Sequence, residues 1–87
     1  MVKVRLAGLL HSYTSGAPVV EAEGGTVMEV MASLDRKFPG LAFRVVDEQG
    51  QVRPHMSVFV GPDRVRDPAV AVETHQEIFI AGALSGG

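Results

Sequence analysis

The longest helical pattern in the chain begins at Thr26, and it restricts the possible folds more than any other feature. Thr26 and Glu29 have the spacing of a capping box, in which a threonine N-cap and a later glutamate each satisfy a free backbone donor. Apolar residues then recur on one helix face, namely Val27, Val30, Met31, Leu34 and Phe38. Pro39-Gly40 ends the pattern, which predicts one amphipathic helix of about three turns. The apolar face of such a helix has to be covered by other elements.

Short strand patterns lie on both sides of this helix. Val2–Leu6 alternates apolar and basic residues, and Pro18–Glu23 predicts a second strand that forms a hairpin with the first. After the helix, Met56–Val60 alternates, Arg64–Arg66 predicts a short return strand, and the apolar run of Glu77–Ala81 predicts a buried central strand. This order predicts an α+β domain of the β-grasp type: a mixed four- to five-stranded sheet holding one main helix. The last strand is expected beside the first and parallel to it.

Three intervening segments are less regular. Ala7–Leu10 is expected to continue the first strand, and His11–Pro18 is expected to be a loop because it contains Ser-Gly and a proline. Leu41–Val46 fits either a short helical turn or an extended return. None of the three changes the predicted fold class.

Composition excludes several classes of function. The 87 residues suffice for one small domain, and the net charge of −2 argues against a nucleic-acid-binding protein. No signal peptide and no stretch long enough to span a membrane is expected, so the cytoplasm is the default compartment. The chain has no cysteine, which excludes disulfides, thiolate metal sites and a thiol nucleophile.

No catalytic constellation emerges from the sequence. The histidines lie far apart, in or beside predicted loops, and no metal site is expected of them (His11, His55 and His75). Glu21 and Glu23 share a strand face, which is better explained as a solvated surface than as an acid–base pair. The glycine pair before the helix has no lysine with it, so it is not a phosphate-binding loop. We expect no catalytic residue and no bound cofactor.

The final residues have a different character. Residues 1–81 are predicted to form the folded domain, and residues 82–87 a flexible tail that ends on Gly86-Gly87. A terminal glycine has no Cβ, so its ionised carboxylate can enter a narrow slot and attack an activated phosphate. Six extended residues reach roughly 20 Å, far enough to enter another protein's active site. The alternative is that the tail is only a frayed end.

These features together resemble the ubiquitin-like sulfur-carrier family (MoaD/ThiS type), whose members serve molybdopterin, thiamine and cysteine or homocysteine synthesis. The matching stretches cover nearly the whole chain: the first strand at Val2–Leu6, the helix start at Gly24–Val30, the strand at Arg53–Val60 with Gly61–Arg66 behind it, and the ending Glu77–Gly87. The tail lacks the prolines that many molybdopterin-type members carry before it. The long segment Val46–His55 looks more like the carriers of cysteine and homocysteine synthesis.

The resemblance implies a mechanism and a set of partners. An adenylating enzyme of the ubiquitin-activating type would use ATP to activate the Gly87 carboxylate, and sulfur would replace the adenylate to give a thiocarboxylate. Gly86, Ser85 and Leu84 would thread the slot of that enzyme, while Phe59, together with Leu84, would dock on the partner. A biosynthetic enzyme would accept the sulfur. The alternatives are a protein modifier conjugated through Gly87 and a binding-only β-grasp module.

Overall fold

The computed structural model describes residues 1–82, so the predicted tail residues 83–87 lie outside the described part. Five strands, two α-helices and one 3₁₀ helix follow one another within these residues. They are β1 (Val2–Leu6), the 3₁₀ helix (Gly8–Thr14), β2 (Val19–Ala22), α1 (Val27–Lys37), α2 (Leu41–Val45), β3 (Met56–Val60), β4 (Asp63–Val65) and β5 (Glu77–Gly82).

The strands form one mixed sheet in the order β2-β1-β5-β3-β4. The central β5 is parallel to β1 and antiparallel to β3, with Ile78 opposite Val4 and Ile80 opposite Val58. The predicted central position of the last strand beside the first is therefore confirmed. β5 runs to Gly82, one residue beyond the strand predicted from the sequence.

The core lies between one face of the sheet and α1. Alternate residues of β1 and β3 are buried, as the period of two predicts (Val2, Val4, Leu6, Met56, Val58 and Val60). The predicted apolar face of α1 packs against them, and Val27, Val30, Met31 and Leu34 are fully buried. Each large side chain removed from water stabilises the fold by about 1.5–3 kcal/mol. The α+β class and the β-grasp arrangement follow from this sheet and its covering helix.

Two side chains, those of Thr26 and Glu29, cap the start of α1. Thr26 Oγ1 accepts a hydrogen bond from the Glu29 backbone N–H at 3.1 Å, as expected for an N-cap. The Glu29 carboxylate accepts from the Gly25 N–H at 2.7 Å, and not from the N–H of Thr26 itself. The reciprocal half of the predicted capping box thus lies one residue earlier than expected.

The segment after β1 differs from the prediction. Ala7–Leu10 does not continue the strand and His11–Pro18 is not simply a loop, because residues Gly8–Thr14 form the 3₁₀ helix. This turn buries Leu10 completely, whereas a continuing strand would place Leu9 and Leu10 on opposite faces. Ser15, with a φ of 54°, ends the helix in the left-handed region.

The ambiguous segment after α1 is helical. α2 covers Leu41–Val45 and starts from Gly40, whose φ of 95° favours glycine. Asp35 Oδ1 accepts hydrogen bonds from the backbone N–H groups of Gly40 and Ala42, at 3.0 and 3.2 Å. The side chain of Asp35 therefore satisfies the donors that begin this short helix. The return strand β4 covers Asp63–Val65, one residue earlier than predicted.

Within residues 1–82, no helix combines the length and the apolar character needed to cross a membrane.

Candidate functional site

The site begins where β5 ends. Gly82 lies opposite Met56, the first residue of β3, and an added Cβ on Gly82 would lie 2.8 Å from Met56 Sδ. The same Cβ would approach Leu9 of the 3₁₀ helix to 3.4 Å. Because β1 and β5 are parallel, the ends of both strands and the start of β3 meet at one end of the sheet, which we call the tail end. The tail therefore starts from the middle strand of the sheet.

The residue predicted to carry the sulfur and the residues predicted to thread the slot of the adenylating enzyme lie outside the described residues. Gly87, Gly86, Ser85 and Leu84 follow Gly82 after a single alanine. Fully extended, the five residues after Gly82 span roughly 17 Å. The domain thus anchors one end of a chain segment long enough to enter a neighbouring active site.

Phe59 lies on the outer face of the sheet, which is the face turned away from α1. It alternates with buried Val58 and Val60 and stands opposite Phe79 of β5, with the two ring centroids 6.2 Å apart and the rings tilted by 32°. Both rings are half-buried. Arg5 of β1 is the cross-strand neighbour of Phe79, and Arg64 of β4 is the cross-strand neighbour of Phe59. We call these four residues the Phe59–Phe79 patch.

The patch has an apolar centre and basic edges. Arg5 Nε donates to Glu77 Oε1 at 2.9 Å, but both side chains are about half exposed, at 52% and 42%. Such an exposed ion pair contributes about 0–1 kcal/mol and is readily exchanged for another partner. The geometry suits a partner surface that offers an apolar pocket with acidic groups beside it. Leu84, which is predicted to dock together with Phe59, lies outside the described residues.

Sequence reasoning missed Phe79. The apolar run Ile78-Phe79-Ile80 predicts a buried central strand, whereas within this run only Ile78 and Ile80 are fully buried. The period of two would have placed Phe79 on the outer face, since its neighbours point inwards.

The histidines and the glutamate pair considered in the sequence analysis do not form a common site within the described residues. His11 Nε2 lies 2.8 Å from the Leu6 carbonyl oxygen, and the exposed His75 lies 3.7 Å from Glu73. Glu21 and Glu23 are exposed. Over residues 1–82, no group of three or more histidine, aspartate or glutamate side chains is arranged to hold a metal ion. The described part therefore presents an outward-facing aromatic pair and a central strand that ends at Gly82, and no assembled catalytic centre.

The architecture defines a class: a β-grasp domain of the ubiquitin-like type. Comparison with known proteins adds a narrower relationship. The chain is 26% identical over 91 residues to the sulfur carrier protein CysO of Mycobacterium tuberculosis, covering 99% of this chain and 98% of that protein. In the crystal structure of the Amycolatopsis orientalis BexX/CysO complex, the matching chain is 27% identical and superposes with a TM-score of 0.91 over 100% of both chains. No protein-family model matches the chain.

A modifier protein has a similar structure. The small archaeal modifier protein 1 of Methanosarcina acetivorans is 25% identical and superposes with a TM-score of 0.80, covering 99% of this chain and 95% of that one. The full-length similarity to CysO confirms the resemblance to the ubiquitin-like sulfur carriers that the sequence predicts. The Mycobacterium relative is named a sulfur carrier protein, in agreement with the predicted carrier role.

Proposed function

We propose that this protein carries sulfur on the carboxyl group of Gly87 for a biosynthetic enzyme, most closely of the cysteine-synthesis type. The observation that carries the proposal is the position of β5. The central strand ends at Gly82, and the sequence then runs directly to Gly86-Gly87. A folded body can thus dock outside an active site while its terminal residues enter it.

The chemistry needs an adenylating enzyme, a persulfide that supplies the sulfur and a thiol that releases it, and it needs no cofactor on the carrier. A carboxylate oxygen of Gly87 attacks the α-phosphate of ATP on the adenylating enzyme, and pyrophosphate leaves. The terminal sulfur of a persulfide then displaces AMP to give an acyl disulfide. A thiol cleaves the sulfur–sulfur bond, which leaves the thiocarboxylate on Gly87 and a new disulfide on the thiol's side. The carrier itself has no cysteine, so the sulfur is bonded to its terminal carbonyl carbon.

The partners follow from this chemistry. The Phe59–Phe79 patch would contact the adenylating enzyme of the ubiquitin-activating type, while Leu84, Ser85 and Gly86 thread its slot. The sulfur-accepting enzyme would take the same tail afterwards. The crystal structure of CysO in complex with BexX supports binding to a partner protein. We place the protein in the cytoplasm because adenylation consumes ATP.

The test is the intact mass of the protein purified from its native host, with its C-terminal peptide fragmented. We expect a sulfur-for-oxygen mass gain confined to Gly87, and loss of that gain when Gly87 is deleted. The same spectrum establishes which residue ends the mature chain. An unmodified carboxylate after incubation with ATP, a sulfur donor and the host's adenylating enzyme would refute the proposal.

A second candidate function is protein modification through Gly87. The similarity to the small archaeal modifier protein 1 favours it as the alternative. Isopeptide conjugates joining Gly87 to lysines of other proteins in native extracts would support modification. A free thiocarboxylate without conjugates would support the carrier role. If the chain were only a binding module, deleting Gly86 and Gly87 would leave partner binding unchanged.

A further inference from the structure

A basic recess lies at the tail end of the sheet, beside the point where β5 ends. Its volume is about 330 Å³, and it is lined by Tyr13, Gly40, Phe43, Arg44, Arg53 and His55. His55 directly precedes Met56, the strand partner of Gly82. Tyr13 belongs to the 3₁₀ helix that approaches Gly82 through Leu9. We call this site the tail-end recess.

The lining has the chemistry of an anion-binding site. It holds two arginines, a histidine and a tyrosine, and none of its lining residues is acidic. The ion pairs within residues 1–82 involve other groups, so neither Arg44 nor Arg53 is neutralised by a carboxylate there. The Phe43 ring, 57% exposed, adds an apolar surface beside these charges.

Arg53 is held in place before any ligand arrives. Its guanidinium carbon lies 4.6 Å from the centroid of the Phe43 ring, and its Nε donates to the Phe43 carbonyl oxygen at 2.8 Å. Its backbone N–H donates to the Val45 carbonyl oxygen at 2.9 Å. With Nε occupied, the two terminal nitrogens remain as the fork that binds a carboxylate in a bidentate manner. Fixing the side chain beforehand lowers the entropy cost of binding.

We propose that the tail-end recess binds an acidic side chain, aspartate or glutamate, on the adenylating enzyme that receives the tail. This inference rests on the proposed carrier function and adds to it a second contact, separate from the Phe59–Phe79 patch. The charge of the recess and the forked geometry of Arg53 select a carboxylate. The exposed Phe43 selects an apolar neighbour beside that carboxylate. The contact fixes the domain close to the root of the tail.

The experiment measures carrier-dependent ATP–pyrophosphate exchange by the host's adenylating enzyme, with the full-length carrier at low and at raised salt. In the Arg44→Gln/Arg53→Gln double variant, we expect the KM for the carrier to rise about tenfold at low salt, with kcat unchanged. The salt dependence of KM should also become weaker than in the wild type. Arg36→Gln/Arg66→Gln is the matched control, since it also removes two positive charges, both exposed and outside the recess.

Because Arg53 also makes contacts within the fold, Arg44→Gln alone provides a second readout, and an amide NMR spectrum confirms that each variant is folded. A wild-type carrier that is adenylated, together with a KM unchanged in the double variant, would overturn the recess proposal and leave the carrier function standing. Failure of the wild type to be adenylated would overturn both. Binding of inorganic phosphate or ATP to Arg44 and Arg53 of the isolated carrier would reassign the recess to a small anion.

Discussion

Phe59 and Phe79 face each other across the antiparallel pair of β3 and β5, with ring centroids 6.2 Å apart on the outer face of the sheet. Each ring is half-buried by the other and by its strand neighbours, so their free edges remain available to a partner. The pair lies in the two strands that also meet at the tail end, through Met56 and Gly82. Docking at the rings would therefore fix the strand from which the tail departs.

Phe59→Ala should weaken docking while the protein remains folded. We expect the KM for the carrier in adenylation to rise about tenfold or more, because a central aromatic anchor is lost. Loss of the aromatic pair and of part of the burial should lower the free energy of unfolding by about 1–2 kcal/mol. Pyrophosphate exchange and urea unfolding measure the two effects. Met28→Ala, which truncates an exposed side chain on α1, is the control. An unchanged KM for Phe59→Ala would show that the Phe59–Phe79 patch is not part of the interface.

Any side chain at Gly24 should destabilise the fold. Its φ is 153°, and an added Cβ would lie 2.6 Å from the backbone nitrogen of Val30 in the first turns of α1. Backbone atoms of the helix cannot move aside cheaply, so we expect Gly24→Ala to lower the free energy of unfolding by about 2–4 kcal/mol. Gly8→Ala is the control because nothing lies within 4 Å of its added Cβ. Equal urea midpoints for the two variants would contradict this reading of the α1 start.

The cap of α1 should be partly cooperative. Thr26→Ala removes the acceptor for the Glu29 N–H and should cost about 1 kcal/mol. Glu29→Ala leaves the Gly25 N–H without its carboxylate acceptor and should cost about 0.5–1 kcal/mol. A double-mutant cycle by urea unfolding measures their coupling. If the costs added with no coupling term, Thr26 and Glu29 would act as independent caps.

The sequence predicted the parts of the fold whose patterns are periodic. The face of α1 followed from residues three and four apart, and the central place of β5 followed from its apolar run between polar turns. The 3₁₀ helix was missed because Leu9 and Leu10 are adjacent apolar residues that satisfy neither period. Only the need to bury Leu10 beneath the end of β1 decides its conformation, and that need is a tertiary one.

The candidate site was predictable only where it is local in sequence. The tail glycines could be proposed from the sequence because a motif marks them, and Phe59 because the family resemblance implies its role. The tail-end recess could not be found in this way, since its lining residues come from three separate segments of the chain, around Tyr13, Arg44 and Arg53. Their proximity depends on how the 3₁₀ helix and α2 pack at the end of the sheet.

The free edge of β2 is covered by side chains of α1. Lys37 Nζ donates to the Glu21 carbonyl oxygen at 2.8 Å, and the Glu23 N–H donates to Ser33 Oγ at 3.3 Å. We expect Ser33→Ala to cost about 1 kcal/mol in the free energy of unfolding, because the Glu23 N–H loses its acceptor. The Ser33→Ala/Lys37→Met double variant should self-associate, since an uncovered edge strand can pair with another copy. Light scattering after size-exclusion chromatography measures the oligomeric state of the double variant, with Arg36→Met as the control. A monomeric double variant would show that the edge of β2 does not need these side chains to prevent association.

Deleting Gly86 and Gly87 should separate function from stability. The buried core lies between Val2 and Ile80, so we expect the urea midpoint of the shortened protein to equal that of the full chain. Adenylation should fall below detection, because the terminal carboxylate moves back two residues to Ser85, whose side chain would obstruct the narrow slot proposed for the tail. Gly87→Ala should retain the length of the tail yet lower kcat/KM by about a hundredfold, since one methyl group stands where the slot closes on the reacting carboxylate. A Gly87→Ala variant loaded with sulfur at the wild-type rate would show that tail length alone, and not the absence of a side chain, is what the adenylating enzyme recognises.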